Sequence, residues 1–338
     1  MIKAKINRIF LETLNRNVTD DEYNIYYKHA LHNNYNIIRE SLQCNYMFVP
    51  RDAGFFSVFN YFIGLVHSGY KVYPYWNYSK TLEINKRELR HFCYMDKTID
   101  NSWFEYFEPI KYYKNDENNL KNNFKIIQGE ETPKEFKYVN FRQNLQMINN
   151  FSVWRRAVNL TYNQYIKVNK NILKIVDDTI KSDEDIIGVH YRHPSHHCEQ
   201  GKVYFKDYFE KIDNILIQFP DAKIFLASDN DLGIIVFKDR YKEKIIYNQD
   251  VKRTSVDNIL EWSFASLDAK SDKLGFINNV GYQSHYDAEQ SIKMGKDVLI
   301  DALCLSKCRW LVHAVSNITF AVSYINPNIE LLYVNSVM

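Results

Sequence analysis

Short apolar runs alternate with longer amphipathic segments throughout the second half of the chain. Each apolar run has the length of a buried strand, and polar residues follow it at once. This alternation with short connections predicts a mostly parallel sheet that helices cover on both faces. The predicted strands cover residues 186–191, 223–227, 244–247, 310–313 and 331–334, and the predicted helices cover residues 206–218, 231–241 and 295–306.

The first half contains a further strand–helix–strand unit, with strands at 46–49 and 70–75 and a helix at 55–68. The turn before this helix holds Arg51 and Gly54, and Asn60 lies inside the helix. Backbone N–H groups at such a helix start can meet an anion or a sugar hydroxyl. These three residues therefore mark either a loop that binds an acceptor hydroxyl or a diphosphate, or only the start of a helix.

The middle of the chain is less regular. A charged Lys/Asn/Glu tract at 111–136 predicts an excursion on the surface. Apolar residues then recur at helical spacing from Val153 to Ile180, which predicts one long amphipathic helix. A polar break follows this helix and predicts a boundary between an N-terminal domain at 1–182 and a C-terminal domain at 183–338. The predicted fold class is α/β, with two Rossmann-like domains.

Composition removes several classes of function. A formal net charge of +2 gives no electrostatic reason to expect a nucleic-acid partner. Five cysteines, an odd and sparse set, favour a reducing compartment over a disulfide framework. The N-terminal residues lack the apolar core of a signal peptide, and the most apolar early run is too short to span a bilayer. We therefore expect a cytoplasmic protein without a transmembrane segment.

Polar side chains follow three of the predicted strands. Arg192, Asp229 and Ser316 each come just after an apolar run, with Asn317 next to the last of them. Because the carboxyl ends of parallel strands meet at one edge, a single pocket can collect these residues. Arg192 presents a fork of donors suited to a phosphate, and Glu199 in the following loop could serve as a base.

Two metal sites remain as alternatives. His190 in the predicted strand and His193, His196, His197 and Cys198 in the loop that follows are residue types that bind zinc. The triplet Asp229-Asn230-Asp231 matches the Asp-x-Asp motif with which some glycosyltransferases bind manganese. The histidine set lacks a helical His pair anchored by a carboxylate, and Asp-x-Asp triplets are common by chance in an Asn/Asp-rich chain, so both metal sites stay alternatives to a metal-free site.

Two further residues have both a structural and a functional interpretation. Asp301 lies inside an apolar helical run, where a carboxylate needs a partner that is either structural or a ligand. His190 lies within a predicted strand, where it is either a core histidine or part of the pocket.

Three segments together resemble the donor-binding domain of GDP-fucose-dependent fucosyltransferases. They read GVHYRH at 188–193, FLASDN at 225–230 and DVLIDALCLSKCRWLVHAVSN at 297–317. The resemblance is to the α-1,6-fucosyltransferase and bacterial nodulation fucosyltransferase group, related to protein O-fucosyltransferases, and it spans residues 186–334. It implies a GT-B-like fold, inversion at the anomeric carbon, GDP-fucose as donor, a glycan as acceptor, and no metal or other cofactor.

The resemblance also implies roles for individual residues. Arg192 would hold the β-phosphate, and Ser316 with Asn317 would donate to the phosphates. Asp229 would lie near the nucleoside and Asp301 near the guanine or ribose. The remaining roles that it implies are His190 and His193 in the donor site, Tyr208 near the sugar, and Glu199 assisting deprotonation of the acceptor.

Two features depart from the family pattern. His193 stands where the family often has a second basic residue, and Ser195-His196 replace an acid–lysine pair. Two other functions therefore remain as alternatives. One is a GT-B enzyme that uses another nucleotide sugar, and the other is a non-catalytic nucleotide- or sugar-binding protein with the same fold.

Overall fold

Two parallel β-sheets, one in each half of the chain, form the framework of the computed structural model. The structure describes residues 2–14, 17–18, 20, 23, 26–27, 30, 35, 38, 45–51, 53–67, 70–85, 94–110, 124–128, 148–181, 185–192, 204–251, 253 and 288–334. His193 and Glu199 lie outside the described residues, together with the rest of the histidine-rich loop.

The first sheet has three described strands in the order β2-β1-β3, and both strand pairs are parallel. A short 3₁₀ helix lies at Ser102–Glu105. In chain order, this half contains α1 (Ile2–Leu14), β1 (Asn45–Val49), α2 (Phe55–His67), β2 (Val72–Pro74), α3 (Tyr78–Asn85), β3 (Phe124–Gln128), α4 (Ile148–Tyr165) and α5 (Lys170–Thr179).

Among the described residues, the second sheet has five strands in the order β6-β5-β4-β7-β8, and each neighbouring pair is parallel. In chain order, its elements are β4 (Ile186–Tyr191), α6 (Phe205–Gln218), β5 (Lys223–Ser228), α7 (Asp231–Tyr241), β6 (Ile245–Ile246), α8 (Ala288–Lys307), β7 (Trp310–His313), α9 (Asn317–Ile325) and β8 (Glu330–Tyr333). A single 3₁₀ turn at Lys242–Lys244 leads into β6.

The central position of β4 explains its sequence. All six of its residues are buried, as a parallel strand between two helical layers requires. The chain leaves β4 towards β5 and later returns to β7 on its other side, so the strand order reverses between β4 and β7. Ligands of open α/β sheets bind at the carboxyl edge beside such a reversal.

The two faces of the second sheet have different cores. On one face, Val189, Tyr191 and Leu226 pack with apolar residues of α6 and α7. On the other face, Phe225 and Leu311 belong to a larger cluster with α8, α9 and elements of the first half. The α/β class with parallel sheets is therefore confirmed. The boundary at residue 182 stays a prediction, because this cluster includes residues from both halves.

The prediction of one long helix from Val153 to Ile180 is wrong. Two helices, α4 and α5, occupy this segment, and the residues between them are drawn into backbone pairing. Val168 forms an antiparallel bridge with Phe107, and the Asn169 N–H donates to the Tyr106 carbonyl at 3.0 Å. The Asn169 side chain also donates to the Phe104 carbonyl at 2.9 Å, which fixes the break.

The prediction that the whole tract 111–136 is a surface excursion is also wrong. Residues Phe124–Gln128 form β3, which pairs with β1 over five residues. Ile127 is buried, whereas Ile126 is 37% exposed. This alternation is typical of a strand with one covered face.

Candidate functional site

The carboxyl edge of the second sheet brings His190 and Ser316 together, although 126 residues separate them in sequence. His190 is the penultimate residue of β4, and its Nδ1 lies 3.4 Å from the Ser316 Oγ. Both side chains are buried. The pair therefore lies at the reversal between β4 and β7, where the strand order predicts a ligand site.

Ser316 is the N-cap of α9. Its Oγ accepts from the Thr319 N–H at 3.1 Å, and its own N–H donates to the Thr319 Oγ1 at 3.1 Å, which completes a capping box. The box fixes where α9 begins, with Asn317 as its first residue. A helix start directs amide N–H groups and positive partial charge outwards, so this point can bind an anion.

Arg192 follows the last residue of β4 directly and is partly exposed. The preceding Tyr191 is buried, with its ring stacked on Phe205 at 4.6 Å between centroids. This packing fixes the backbone up to Tyr191, the last residue of β4, so the position at which the Arg192 side chain begins is also fixed. The structure therefore places Arg192 beside His190, on the strand whose carboxyl end borders the reversal.

Tyr208 lies on the face of the second sheet that α6 and α7 cover. It is 0% exposed, packs with the α6–α7 face, and donates its hydroxyl to the His190 carbonyl at 3.2 Å. Burial raises the pKa of this hydroxyl far above its ordinary range. In this position Tyr208 supports the end of β4.

The triplet after β5 forms the start of α7. Asn230 is its N-cap and accepts from the Gly233 N–H at 2.7 Å. Asp231 is the first helical residue, and the Asp229 Oδ1 accepts from the Asn230 side-chain amide at 3.1 Å. Asp229 is partly exposed at the carboxyl end of β5, next to the end of β4.

Asp301 lies on α8, whose packing buries it. The residue is 7% exposed, and its Oδ1 has no hydrogen-bond partner among the residues that the structure describes. Burial raises the pKa of this carboxyl to about 7, while Arg253 acts to lower it and Asp297 to raise it. A buried carboxylate oxygen without a donor is costly, which makes Asp301 a candidate ligand-binding group.

Among the described residues, Arg253 and Asp297 influence the pKa of Asp301 after burial, and sequence reasoning missed both. Arg253 donates to the carbonyl of Ser228, the last residue of β5, at 3.2 Å. Asp297 is 7% exposed and accepts from Lys293 at 2.7 Å. The signal for Asp297 was its spacing, because residues 293, 297 and 301 are four apart and share one side of a helix.

His313 is a second buried histidine that the sequence did not single out as functional. It pairs with His190 across β7 and β4, so both side chains lie on the same face of the sheet. Burial lowers the pKa of His313 to about 4, and its Nδ1 lies 3.0 Å from the Ala314 carbonyl oxygen. The ring is therefore neutral at pH 7, with Nδ1–H as the donor.

The residues predicted for the acceptor side occupy different environments. Asn60 is buried, donates to the Asn317 carbonyl at 2.9 Å and accepts from the Tyr324 hydroxyl at 2.8 Å. It therefore joins α2 to the start of α9. Arg51 donates to the Ser57 Oγ at 3.0 Å, and Gly54 is exposed with open space around it.

The hydrogen bond from Asn60 to the Asn317 carbonyl brings the starts of α2 and α9 towards each other. α2 begins at the carboxyl edge of the first sheet, and α9 begins at the carboxyl edge of the second. Asn60 lies in the second turn of α2 and touches the first residue of α9. The turn with Arg51 and Gly54 therefore lies on the same side of the molecule as Ser316.

Within the described ranges, no three His, Cys, Asp or Glu side chains come close enough together to share a metal ion. No described helix is both long and apolar enough to cross a membrane.

Neither the known protein families nor the curated proteins contain a match to this chain. Similar solved structures include NodZ alpha-1,6-fucosyltransferase soaked with GDP-fucose, which is 14% identical over 84% of this chain and 93% of that chain, with a TM-score of 0.42. Fucosyltransferase NodZ from Bradyrhizobium is 13% identical over 82% of this chain and 92% of its own, with a TM-score of 0.40. POFUT1 in complex with GDP is 10% identical over 86% of this chain and 98% of that chain, with a TM-score of 0.41. Likeness at these values does not by itself carry a function from one protein to another.

Proposed function

We propose that this protein is an inverting, metal-independent glycosyltransferase that transfers fucose from GDP-fucose to a glycan hydroxyl. The observation that carries the proposal is the buried Asp301 Oδ1, which has no partner among the described residues. A guanine edge presents adjacent N–H donors, and an ionised carboxylate accepts two of them. Such a base would complete the hydrogen bonding of the Asp301 Oδ1, which is buried in the free protein.

The diphosphate end of the donor would bind at the reversal between β4 and β7. Arg192 would meet the phosphates bidentately, and the first amides of α9 at Ser316 and Asn317 would donate to them. His190 would contact the same group from the end of β4, and Asp229 would lie near the nucleoside. The sequence resemblance supports these roles, and the His190–Ser316 contact agrees with them.

The transfer step exchanges one bond at the anomeric carbon for another. The acceptor oxygen forms a bond to the anomeric carbon while the bond from that carbon to the diphosphate oxygen breaks. Arg192 and the α9 start stabilise the charge that develops on the leaving diphosphate. The acceptor proton passes to a base, and the resemblance indicates Glu199 for this role. The resemblance also implies that His193, from the same loop, lies in the donor site.

The glycan acceptor would approach from the first half of the chain. The turn with Arg51 and Gly54 lies on the side of the α9 start, and Gly54 leaves open space there. Asn60 would hold this turn relative to the donor site through its bonds to α9.

Thermal unfolding with nucleotides tests the donor. GDP should raise the melting temperature more than UDP does, because only guanine offers the paired N–H donors, and EDTA should not change the effect. A UDP response that EDTA abolishes would favour a metal-dependent enzyme with another nucleotide sugar.

Turnover of GDP-fucose separates an enzyme from a binding protein. Released or transferred fucose, followed by NMR, should show the anomeric configuration opposite to that of the donor. Arg192→Ala should lower the rate by at least about a hundredfold, because the leaving group loses its main cation. A protein that binds GDP but never consumes GDP-fucose would be a binding protein, and near wild-type turnover in the variant would refute the phosphate role.

A further inference from the structure

We propose that Arg155 on α4 is a positioning residue for the diphosphate of the donor, because it holds the carboxyl end of α9 while the amino end of that helix meets the phosphates. This inference rests on the proposed function, and it adds a helix of the first half to the donor site. In this role Arg155 acts through the direction of α9 and not by touching the ligand.

Side chains of α4 supply donors to three of the last four carbonyl groups of α9. A helix cannot satisfy these carbonyls from within, and leaving them unpaired in a buried place is costly. The Arg155 Nε donates to the first of the three, and the Asn159 side-chain amide donates to the other two. The acceptors are the carbonyls of Ser323 at 2.8 Å, Tyr324 at 2.9 Å and Ile325 at 3.0 Å. The fourth carbonyl, that of Val322, accepts from the Asn326 N–H at 3.0 Å.

Arg155 also fixes the turn that follows α9. Its Nη2 donates to the Asn326 carbonyl at 3.2 Å and to the Ile329 carbonyl at 2.9 Å. The Asn326 side chain in turn donates to the Ser306 carbonyl, near the end of α8, at 2.8 Å. Arg155 is 8% exposed, so little water competes for its bonds. The carboxyl end of α9 is therefore anchored to α4 directly and to α8 through Asn326.

The charge and shape of Arg155 suit this position. Carbonyl groups at the carboxyl end of a helix carry negative partial charge, so a cation there stabilises the helix. Burial lowers the pKa of Arg155 to about 10, and the guanidinium therefore stays charged at pH 7. Because the guanidinium is planar and its donors have fixed directions, one side chain orients three carbonyls at once.

The direction of α9 decides where its first amides point. Two residues separate β7 from the N-cap Ser316, so the connection to the sheet fixes where the helix begins. A helix held only at its start can still tilt about that point, and its N–H groups lie along its axis. The ring of Phe320 packs on Trp154 at 4.7 Å between centroids, and the bonds of Arg155 hold the far end. The amides that would meet the diphosphate therefore depend on side chains of α4.

The first test compares GDP with guanosine, which has the base and the ribose but no phosphate. The dissociation constant of guanosine divided by that of GDP isolates the diphosphate, and ligand-observed NMR can measure the weaker ligand. In Arg155→Met this ratio should fall about tenfold, the size of one hydrogen bond to a charged group, while guanosine binding stays unchanged. Arg155→Lys keeps a cation with donors at the helix end, so it should restore part of the ratio.

Asn159→Ala is a milder variant, which decides the matter if Arg155→Met does not fold. It removes two partly buried bonds to α9, so the ratio should fall by a smaller factor. Arg156→Met is the matched control for charge, because Arg156 is the exposed neighbour of Arg155 on α4. Thr161→Val is the control for stability, because it removes the 2.8 Å contact between the Thr161 Oγ1 and the His67 Nδ1 of α2 and none of the bonds to α9. Both controls should keep the wild-type ratio.

The outcomes separate this inference from the proposed function. A wild type that binds no GDP refutes the proposed function, and the role of Arg155 with it. GDP binding with a wild-type ratio in Arg155→Met, or in Asn159→Ala where Arg155→Met does not fold, refutes only the role of Arg155. A ratio that falls as far in Thr161→Val would assign the effect to lost stability and would also refute that role.

Discussion

Asp301 and Arg192 illustrate what single residues contribute to the candidate site. Arg192 was predicted because it follows an apolar run directly, and a residue at the end of a strand has a position that sequence can give. Asp301 was singled out because its neighbours in sequence are apolar. The sequence could not predict whether its partner is a protein group or a ligand. Arg253 was missed, because its contact with the end of β5 joins residues 25 apart through packing rather than through a periodic pattern.

The Asp301 carboxyl should make the stability of the free protein depend on pH. The folded protein holds its proton up to about pH 7, whereas the ordinary pKa is 3.8. The folded state therefore binds more protons at this carboxyl between these values, so the contribution of Asp301 to wild-type stability should fall as pH rises from about 4 to 7. A shift of this size corresponds to about 4 kcal/mol.

Asp301→Asn should remove this decline and abolish tight GDP binding, which denaturant unfolding across the pH range and calorimetry would measure. Asp178→Asn is the control, because Asp178 is exposed on α5, and it should leave the pH dependence as it is in the wild type. An Asp301→Asn curve parallel to that of the wild type would contradict the assignment.

The strands and helices of the second half follow their predicted bounds to within one or two residues at most ends, because every strand is apolar and bounded by polar turns. The departures occur where tertiary contacts override periodicity. The helix predicted from Val153 to Ile180 breaks where Val168 pairs with Phe107, and β3 lies hidden in a polar tract because one of its faces is exposed. A periodic pattern carries no information about such pairing partners.

The start of α7 depends on a glycine that lets the helix approach two strand ends. A Cβ on Gly233 would lie 2.6 Å from the Ser228 Oγ and 2.7 Å from Tyr191. Gly233→Ala should therefore destabilise the protein by about 1–3 kcal/mol, although alanine favours helices.

Denaturant unfolding would measure this loss, and donor affinity should fall with it, because Tyr191 precedes Arg192. Gly54→Ala is the matched control, since a Cβ there meets nothing within 4 Å, and its stability should stay close to that of the wild type. Equal stabilities for the two variants would show that α7 can move away without cost.

The whole molecule is held together by contacts between its halves. α9 packs against α2 and α4, and a single hydrophobic cluster includes residues of both sheets. Arg155 on α4 adds bonds to three carbonyls at and after the end of α9, those of Ser323, Asn326 and Ile329. The sequence predicted two α/β units, but it could not predict this shared core, because no local pattern records which helices of the two units meet.

The Asn60 side chain should stabilise the molecule through both of its bonds to α9. Asn60→Ala leaves the buried Tyr324 hydroxyl without its acceptor and removes a donor to the partly buried Asn317 carbonyl, which should cost about 1–3 kcal/mol. Calorimetry should show a single unfolding transition for the wild type and a lower midpoint for the variant.

The control for this variant is Asn163→Ala. This exposed side chain donates to the Asn159 Oδ1 within α4, and the Asn159 amide keeps its own bonds to the Tyr324 and Ile325 carbonyls, so the midpoint should hardly change. Two separate transitions in the wild type would argue that the halves fold independently, and an unchanged midpoint for Asn60→Ala would argue that α2 and α9 are held by other contacts.

A crystal structure of the protein with GDP tests the account most directly, because it locates the ligand. We predict that the diphosphate lies at the start of α9, within hydrogen-bond distance of Ser316 and Arg192. The guanine N–H groups should donate to the Asp301 Oδ1. GDP bound away from the carboxyl edge of the five-stranded sheet, or at that edge without contact to Asp301, would contradict the proposed donor site.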